Sequence, residues 1–155
     1  MLAAFGGSAG AITVGRAITD RPELFAAAVI QVGALNAIRA ETSTNTLSVA
    51  EFGSVTDSPE FNYLMDMDVY HHIKKGVKYP STLFTCALND ARVAAWEPSK
   101  TVAKMQHYGT GQNIALIRIS NEGHFGSSDF IKETSDIYAF LLWQLSDKKF
   151  KYHQH

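Results

Sequence analysis

The sequence is poor in the features that mark several classes of protein. Its 155 residues include a single cysteine, Cys86, so a scaffold held by internal disulfides is excluded. The 14 lysines and arginines nearly balance the 15 aspartates and glutamates, so the basic excess typical of nucleic-acid binding is missing. No apolar run approaches the roughly 20 residues of a membrane span, and no signal peptide is visible. We therefore expect no nucleic-acid partner, no membrane partner and a cytoplasmic location.

The composition that is present is typical of a globular domain with a substantial core. Hydrophobic residues make up 46% of the chain and charged residues 19%. At this length a folded chain buries about 70% of the surface that its unfolded form exposes, which is enough for one stable core. One domain is therefore expected, and composition alone indicates no activity.

The order of apolar segments predicts an α/β domain with a mostly parallel sheet flanked by helices. Short apolar runs bounded by turn signals favour buried parallel strands, although their length alone also permits buried helix. Four such runs are predicted strands: Leu2–Phe5, Ala26–Val32, Ser81–Ala87 and Ile114–Ile119. Three segments with helical spacing are predicted helices: Ala9–Thr19, Glu97–Tyr108 and Asp129–Leu145.

Two other parts of the chain allow a more detailed prediction. The segment Asn36–Asp68 is rich in Ser, Thr, Asn and acidic residues, and we expect a surface excursion with short helices, of a kind that often carries function. The last predicted helix has an apolar face that should pack on the sheet. That face comprises Ile131, Ile137, Phe140, Leu141 and Trp143.

A glycine-flanked serine follows the first predicted strand and opens the first predicted helix. The pattern Gly6-x-Ser8-x-Gly10 in this position is typical of a nucleophile elbow, a sharp turn that exposes a serine hydroxyl. The helix amino terminus would offer free N–H groups to a developing negative charge. The alternative is a plain glycine-rich turn without catalytic meaning.

A serine nucleophile needs a general base and a carboxylate that orients it. Asp90 follows the third predicted strand and His124 follows the fourth, so the chain order is Ser, Asp, His. Because the carboxyl ends of parallel strands meet at one edge of a sheet, we expect the three side chains to converge there. The alternatives are that Asp90 begins a turn and that His124 is an ordinary loop histidine.

The chain resembles the carboxyl-terminal half of the catalytic domain of the prolyl oligopeptidase family, of the oligopeptidase B-like or prolyl endopeptidase-like kind. The similarity extends from about residue 3 to about residue 145. It is carried by Gly6–Gly10, Arg21–Phe25, Tyr79-Pro80, Asn89–Val93, Trp96-Glu97-Pro98 and Gly123–Phe125. The implied fold is the carboxyl-terminal part of an α/β-hydrolase fold.

The resemblance implies a serine peptidase that hydrolyses oligopeptides through an acyl-enzyme and needs no cofactor or metal. It makes Ser8 the nucleophile, His124 the general base and then acid, and Asp90 the residue that orients His124. It also makes the backbone N–H of Ala9 an oxyanion donor.

The resemblance further implies that Arg92 and Val93 bind the substrate, Arg92 through a backbone carbonyl. The sequence departs from the family pattern in three places. Ala11 stands where a second glycine is usual, and the tryptophan that stacks on proline is missing, with Ser48 near its place. The segment Trp96-Glu97-Pro98 is closer to the oligopeptidase B-like branch, which favours basic residues, so the preferred substrate residue stays open.

The largest departure is that an amino-terminal part is missing. Family members carry a β-propeller and further strands before the elbow, and their second oxyanion donor, a tyrosine hydroxyl, lies in that part. Residues 1–147 are therefore expected to be a partial peptidase catalytic domain, followed by a polar tail at 148–155. An exposed sheet edge would favour a homo-oligomer, or pairing with the missing amino-terminal part.

Two other functions stay open. The same three residues would serve an esterase or acylaminoacyl hydrolase, because one fold and one set of groups can act on esters and amides alike. The chain could also be a catalytically silent fragment that acts only by binding or oligomerising.

Two further groups of residues are interpreted as structural. The cluster of Asp66, Asp68, His71 and His72 could suggest a metal site, but we expect a solvated turn and short helix instead. Cys86 lies within a predicted strand and is expected to behave as a small buried apolar residue.

Overall fold

The structure is a computed structural model that describes residues 2–42, 45, 48–125 and 130–146. Its centre is a parallel sheet of four strands in the order β1-β2-β3-β4. The strands are β1 (Ala3–Gly7), β2 (Ala27–Gln31), β3 (Ser81–Ala87) and β4 (Ala115–Ser120). The predicted α/β class is confirmed, and the strand ends differ from the predicted ones by at most two residues.

Helices connect the strands and lie on both faces of the sheet. The α-helices are α1 (Gly10–Asp20), α2 (Ser48–Phe52), α3 (Ser58–Met67), α4 (Val69–His72), α5 (Trp96–Tyr108) and α6 (Phe130–Leu145). Two 3₁₀ helices, Pro22–Leu24 and Ala37–Thr42, follow α1 and β2. The short helices expected in the excursion after β2 are therefore present. None of the described helices is long and apolar enough to cross a membrane.

The core has two parts because side chains alternate between the faces of a strand. Ala28 and Ile30 of β2 belong to a cluster that also includes apolar residues of α1, α4 and α5. Ala27 and Val29 belong to a second cluster, on the face covered by α6. Residues Ala27–Ile30 of β2 are buried on both faces of the sheet, which explains why they form an unbroken apolar run.

The prediction for the apolar face of α6 is wrong at two of its five positions. Ile137 and Phe140 are buried against the sheet, but Ile131 is 81% exposed and Trp143 is 39% exposed. At 100° per residue, Ile131 and Trp143 lie about 120° to either side of Ile137. Because α6 packs on β2 and β3, only the stripe centred on Ile137 reaches the sheet.

The close packing of α1 on α4 depends on a helical glycine. A Cβ atom at Gly15 would lie 2.5 Å from Cγ2 and 2.8 Å from Cγ1 of Val69. Val69 is itself buried, so its methyl groups have little room to move.

We expect Gly15→Ala to lower the free energy of unfolding by about 1–3 kcal/mol, because the added methyl must displace Val69. Gly10→Ala is the matched control, since a Cβ there meets nothing within 4 Å. The control should be neutral or stabilise by about 0.4–1 kcal/mol. Urea denaturation followed by circular dichroism measures both values, and equal stabilities of the two variants would contradict this account of the packing.

Candidate active site

Ser8 lies in the sharp turn between β1 and α1, with a backbone φ of 51°. This left-handed conformation is unfavourable for a residue other than glycine and is often found at functional sites. The turn requires glycine at position 6, where a Cβ would lie 2.7 Å from Cγ2 of Val14 and 2.8 Å from the carbonyl oxygen of Gly10. The local geometry therefore agrees with the predicted elbow.

Two backbone hydrogen bonds hold Ser8 in this conformation. The Ser8 N–H donates to the Gln31 carbonyl (2.9 Å), and the Ala34 N–H donates to the Ser8 carbonyl (3.1 Å). Both partners lie at or just beyond the end of β2. Both backbone polar groups of Ser8, its N–H and its carbonyl, are thus bonded to β2 or to the loop that follows it.

The structure brings the three predicted side chains into one chain of hydrogen bonds. The Ser8 Oγ is 3.0 Å from Nε2 of His124, and Nδ1 of His124 is 2.7 Å from Oδ2 of Asp90. The side chain of His124 is 6% exposed and that of Asp90 is fully buried. Ser8, Asp90 and His124 come together because β1, β3 and β4 are parallel and end at the same edge of the sheet.

The second oxygen of Asp90 accepts hydrogen bonds from the backbone of the loop that follows it. Its Oδ1 accepts the N–H groups of Arg92 (2.8 Å) and Val93 (2.9 Å). An ionised carboxylate can only accept hydrogen bonds, so opposite an ionised Asp90 the proton in this contact is on Nδ1 of His124. When the ring is neutral, Nε2 then carries no proton and can accept the hydroxyl proton of Ser8, as a general base does.

Ala9, the predicted oxyanion donor, lies at the amino-terminal boundary of α1 and is exposed. Backbone N–H groups at a helix start have no intrahelical partner. The partial positive charge of the helix end adds to their attraction for an anion. If Ser8 Oγ adds to a carbonyl carbon, the negative charge that develops on the carbonyl oxygen would therefore lie near a suitable donor.

A small pocket of about 60 Å³ opens on one side of Ser8. Arg92 and Val93, the predicted substrate-binding residues, both line it, and so does Ser48. The Arg92 guanidinium also lies over the ring of Phe125, 5.1 Å from its centroid. The sequence did not predict the remaining lining residues, which are Ile12, Ala34, Ala37, Ala40, Asn45, Glu51, Phe52 and Glu97.

A second cavity of about 320 Å³ is lined by both Ser8 and His124. Cys86 is among its lining residues, yet it is only 3% exposed, which confirms the predicted burial. Burial raises the pKa of the Cys86 thiol, so little of the reactive thiolate is present near neutral pH.

A buried polar cluster next to the small pocket was not predicted. Glu97 accepts hydrogen bonds from the N–H groups of Leu35 and Asn36, and Asp68 accepts one from the Asn36 side chain. The Lys100 ammonium donates to the side-chain oxygen of Asn36. Burial raises the pKa of Glu97 and lowers that of Lys100.

The expectation of a solvated turn around Asp68 is therefore wrong, since Asp68 is fully buried. Its Oδ1 accepts the N–H of His71 at the start of α4 (2.8 Å). The sequence signal was the Asp-x-x-His spacing before a short helix, which is typical of an N-cap. Within the described residues, no group of three or more His, Cys, Asp or Glu side chains could hold a metal ion.

The sequence is similar to known proteins over nearly its whole length. The model of the prolyl oligopeptidase family matches residues 1–148. The prolyl endopeptidase of Elizabethkingia miricola is 33% identical over 97% of this chain and 22% of its own length. Protease 2 of Moraxella lacunata is 31% identical over 93% of this chain and 22% of its own length. The chain thus spans about a fifth of the length of these relatives.

Solved structures of a prolyl endopeptidase and of an oligopeptidase B are also similar to this chain. A prolyl endopeptidase, studied for the role of inter-domain dynamics in catalysis and specificity, matches with a TM-score of 0.86 and 34% identity. That match covers 92% of this chain and 22% of the other. Oligopeptidase B from Trypanosoma brucei matches with a TM-score of 0.85 and 27% identity, over 92% of this chain and 21% of its own.

The raised pKa of Glu97 makes stability depend on pH. Its ordinary value is 4.5, and burial favours the protonated form in the folded chain. The contribution of Glu97 to the free energy of unfolding is full below its pKa in the unfolded chain. It is lost as pH rises through its pKa in the folded chain. Glu97→Gln removes the titration, so the stability of the variant relative to wild type should increase from about pH 4.5 to about pH 7.5. Urea denaturation at the two pH values measures this difference.

Glu23→Gln is the control for this prediction. A hydrogen bond from Arg21 lowers the pKa of Glu23, so its contribution is lost as pH falls rather than as it rises. The control should show no gain relative to wild type at the higher pH. The same pH trend in both variants would contradict the assignment to Glu97.

Proposed function

The chain belongs to the prolyl oligopeptidase family, and from this membership we propose that it is a serine-type peptidase that hydrolyses oligopeptides through an acyl-enzyme. The observation that carries the proposal is the chain of hydrogen bonds from Ser8 through His124 to Asp90. It has the nucleophile, the base and the orienting carboxylate in the order that acyl transfer requires.

In the proposed mechanism, Nε2 of His124 takes the proton of Ser8 as Oγ attacks the substrate carbonyl. Asp90 stabilises the imidazolium that forms, and the Ala9 N–H stabilises the oxyanion. His124 then gives its proton to the leaving amine, and an ester of Ser8 remains. Water activated by His124 attacks this ester, and Ser8 recovers its proton as the acid product leaves.

The substrate is proposed to lie across Ser8 between the two cavities. Arg92 and Val93 belong to the wall of the small pocket, and Arg92 would bind a backbone carbonyl of the substrate. The residue before the cleaved bond would enter this pocket. The leaving peptide would depart on the side of His124, because Nε2 of that residue protonates its amine.

We also propose that the isolated chain associates with a second copy through β1. In the described part of the sheet, β1 pairs with β2 only, so the backbone of its outer edge has no strand partner. Leu2 and Phe5, at 56% and 54% exposure, add apolar surface beside this edge. An unpaired apolar edge favours pairing with another chain.

A fluorophosphonate probe tests the nucleophile. The wild-type chain should be labelled, and Ser8→Ala should lose labelling completely, because the probe forms its bond with the activated hydroxyl. Asp90→Asn should reduce turnover by about 10⁴-fold, because it disturbs the tautomer of His124. Ser58→Ala, at an exposed serine of α3, should label as wild type does.

An unlabelled wild-type chain would contradict the peptidase proposal and favour a catalytically silent protein. Peptide amides and short acyl esters that carry the same acyl group separate the remaining activities. Hydrolysis of both supports a peptidase, whereas hydrolysis of the esters alone supports an esterase.

Sedimentation velocity tests the association through β1. The wild-type chain should sediment as a species larger than its 17.0 kDa monomer, and Phe5→Lys should shift it towards the monomer. Tyr63→Lys is the matched control, because Tyr63 is an aromatic residue on α3 with 65% exposure. A monomeric wild type, or an equal effect of the two substitutions, would overturn this proposal.

A further inference from the structure

The loop after β2 forms part of the candidate site. It begins at Val32, whose φ of 39° turns the chain away from the sheet. The Ala34 N–H holds the carbonyl of Ser8, and Ala34 and Ala37 line the small pocket. The position of this loop therefore affects the shape of the pocket.

Glu97 binds this loop from the opposite wall. Its Oε2 accepts the N–H groups of Leu35 (3.0 Å) and Asn36 (3.1 Å), from a position more than 60 residues further along the chain. Glu97 is 4% exposed and Asn36 is fully buried, so water is a poor substitute for the carboxylate. Two buried N–H groups thus depend on one side-chain oxygen.

Asp68 and Lys100 extend the contact to the next residues of the loop. Oδ2 of Asp68 accepts hydrogen bonds from the Asn36 side chain (2.6 Å) and from the Ile38 N–H (3.2 Å). Lys100 donates to the Asn36 side-chain oxygen and lies over the rings of Tyr70 and Trp96.

Glu97 follows closely in the sequence on the loop that carries Asp90. Glu97 lies in the first turn of α5, four residues after Val93, whose N–H is held by Asp90. Val93 and Ala34 both line the small pocket. A single side chain therefore bridges the segments that follow β2 and β3.

We propose that Glu97 is a positioning residue that sets the distance between the two walls of the pocket beside Ser8. It acts on substrate binding through the loop 34–38 and takes no part in the proton transfers. The kinetic part of this inference rests on the proposed peptidase function, whereas its structural part does not.

The variants Glu97→Ala and Glu97→Gln test the proposal. Alanine removes the acceptor, whereas glutamine keeps one oxygen that can accept both N–H groups. Glu23→Ala, at an exposed carboxylate in the 3₁₀ helix after α1, is the control for loss of a negative charge. The probes are dipeptide coumarin amides, with alanine, leucine, proline or arginine before the cleaved bond, and diisopropyl fluorophosphate, which carries no peptide side chain.

With the substrate that wild type cleaves, Glu97→Ala should raise KM by about tenfold while kcat falls by less than about threefold. Labelling of Ser8 by diisopropyl fluorophosphate should stay within about twofold of wild type, because the proton-transfer groups are intact and the Gln31 carbonyl of β2 still holds the Ser8 N–H. Glu97→Gln should recover most of the loss in KM, and Glu23→Ala should match wild type. Equal losses in labelling and in turnover, or a glutamine variant as impaired as the alanine variant, would overturn the proposal.

Amide hydrogen exchange by NMR gives a readout that needs no activity. In wild type, the Leu35 and Asn36 amides should exchange about as slowly as that of Val29 in β2. Glu97→Ala should speed their exchange by about 100-fold with Val29 unchanged. Fast exchange at Leu35 and Asn36 in wild type would overturn the proposal even if the alanine variant does not fold. A wild type that neither labels nor hydrolyses would contradict the peptidase function only, and the exchange data would still decide the role of Glu97.

Discussion

The candidate site depends on one constrained residue, Ser8. A positive φ at a non-glycine residue costs on the order of 1–3 kcal/mol and persists only where its surroundings enforce it. Here the enforcement comes from the end of β2, through the Gln31 carbonyl and the Ala34 N–H. The hydroxyl can therefore be presented to His124 only while β1 and β2 remain in register.

The Asp90 carboxylate links the reacting side chains to the wall of the pocket. One oxygen accepts a hydrogen bond from Nδ1 of His124, and the other accepts hydrogen bonds from the N–H groups of Arg92 and Val93. The orientation of His124 and the position of the pocket wall thus depend on one buried group.

The sequence was sufficient to predict the parts of this arrangement that follow from the parallel sheet. The strands were found because short apolar runs have few alternatives in an α/β chain, and Ser8, Asp90 and His124 were found because each follows the carboxyl end of one of them. The burial of Asp68 could not be predicted, because it depends on Asn36, which is 32 residues away in the sequence. The exposure of Ile131 likewise depends on how much of α6 the sheet can cover.

Three buried carboxylates, Asp68, Asp90 and Glu97, solve the same physical problem at this edge of the sheet. Loops that leave a parallel sheet lose their ladder partners, and their buried N–H groups must find other acceptors. Each of the three carboxylates accepts two backbone N–H groups. Because Asp68 and Glu97, rather than strands, hold residues 35–38, this side of the pocket can change by substitution without disturbing the sheet that aligns Ser8 with His124. Asp90 differs from these two carboxylates, because its other oxygen also contacts His124.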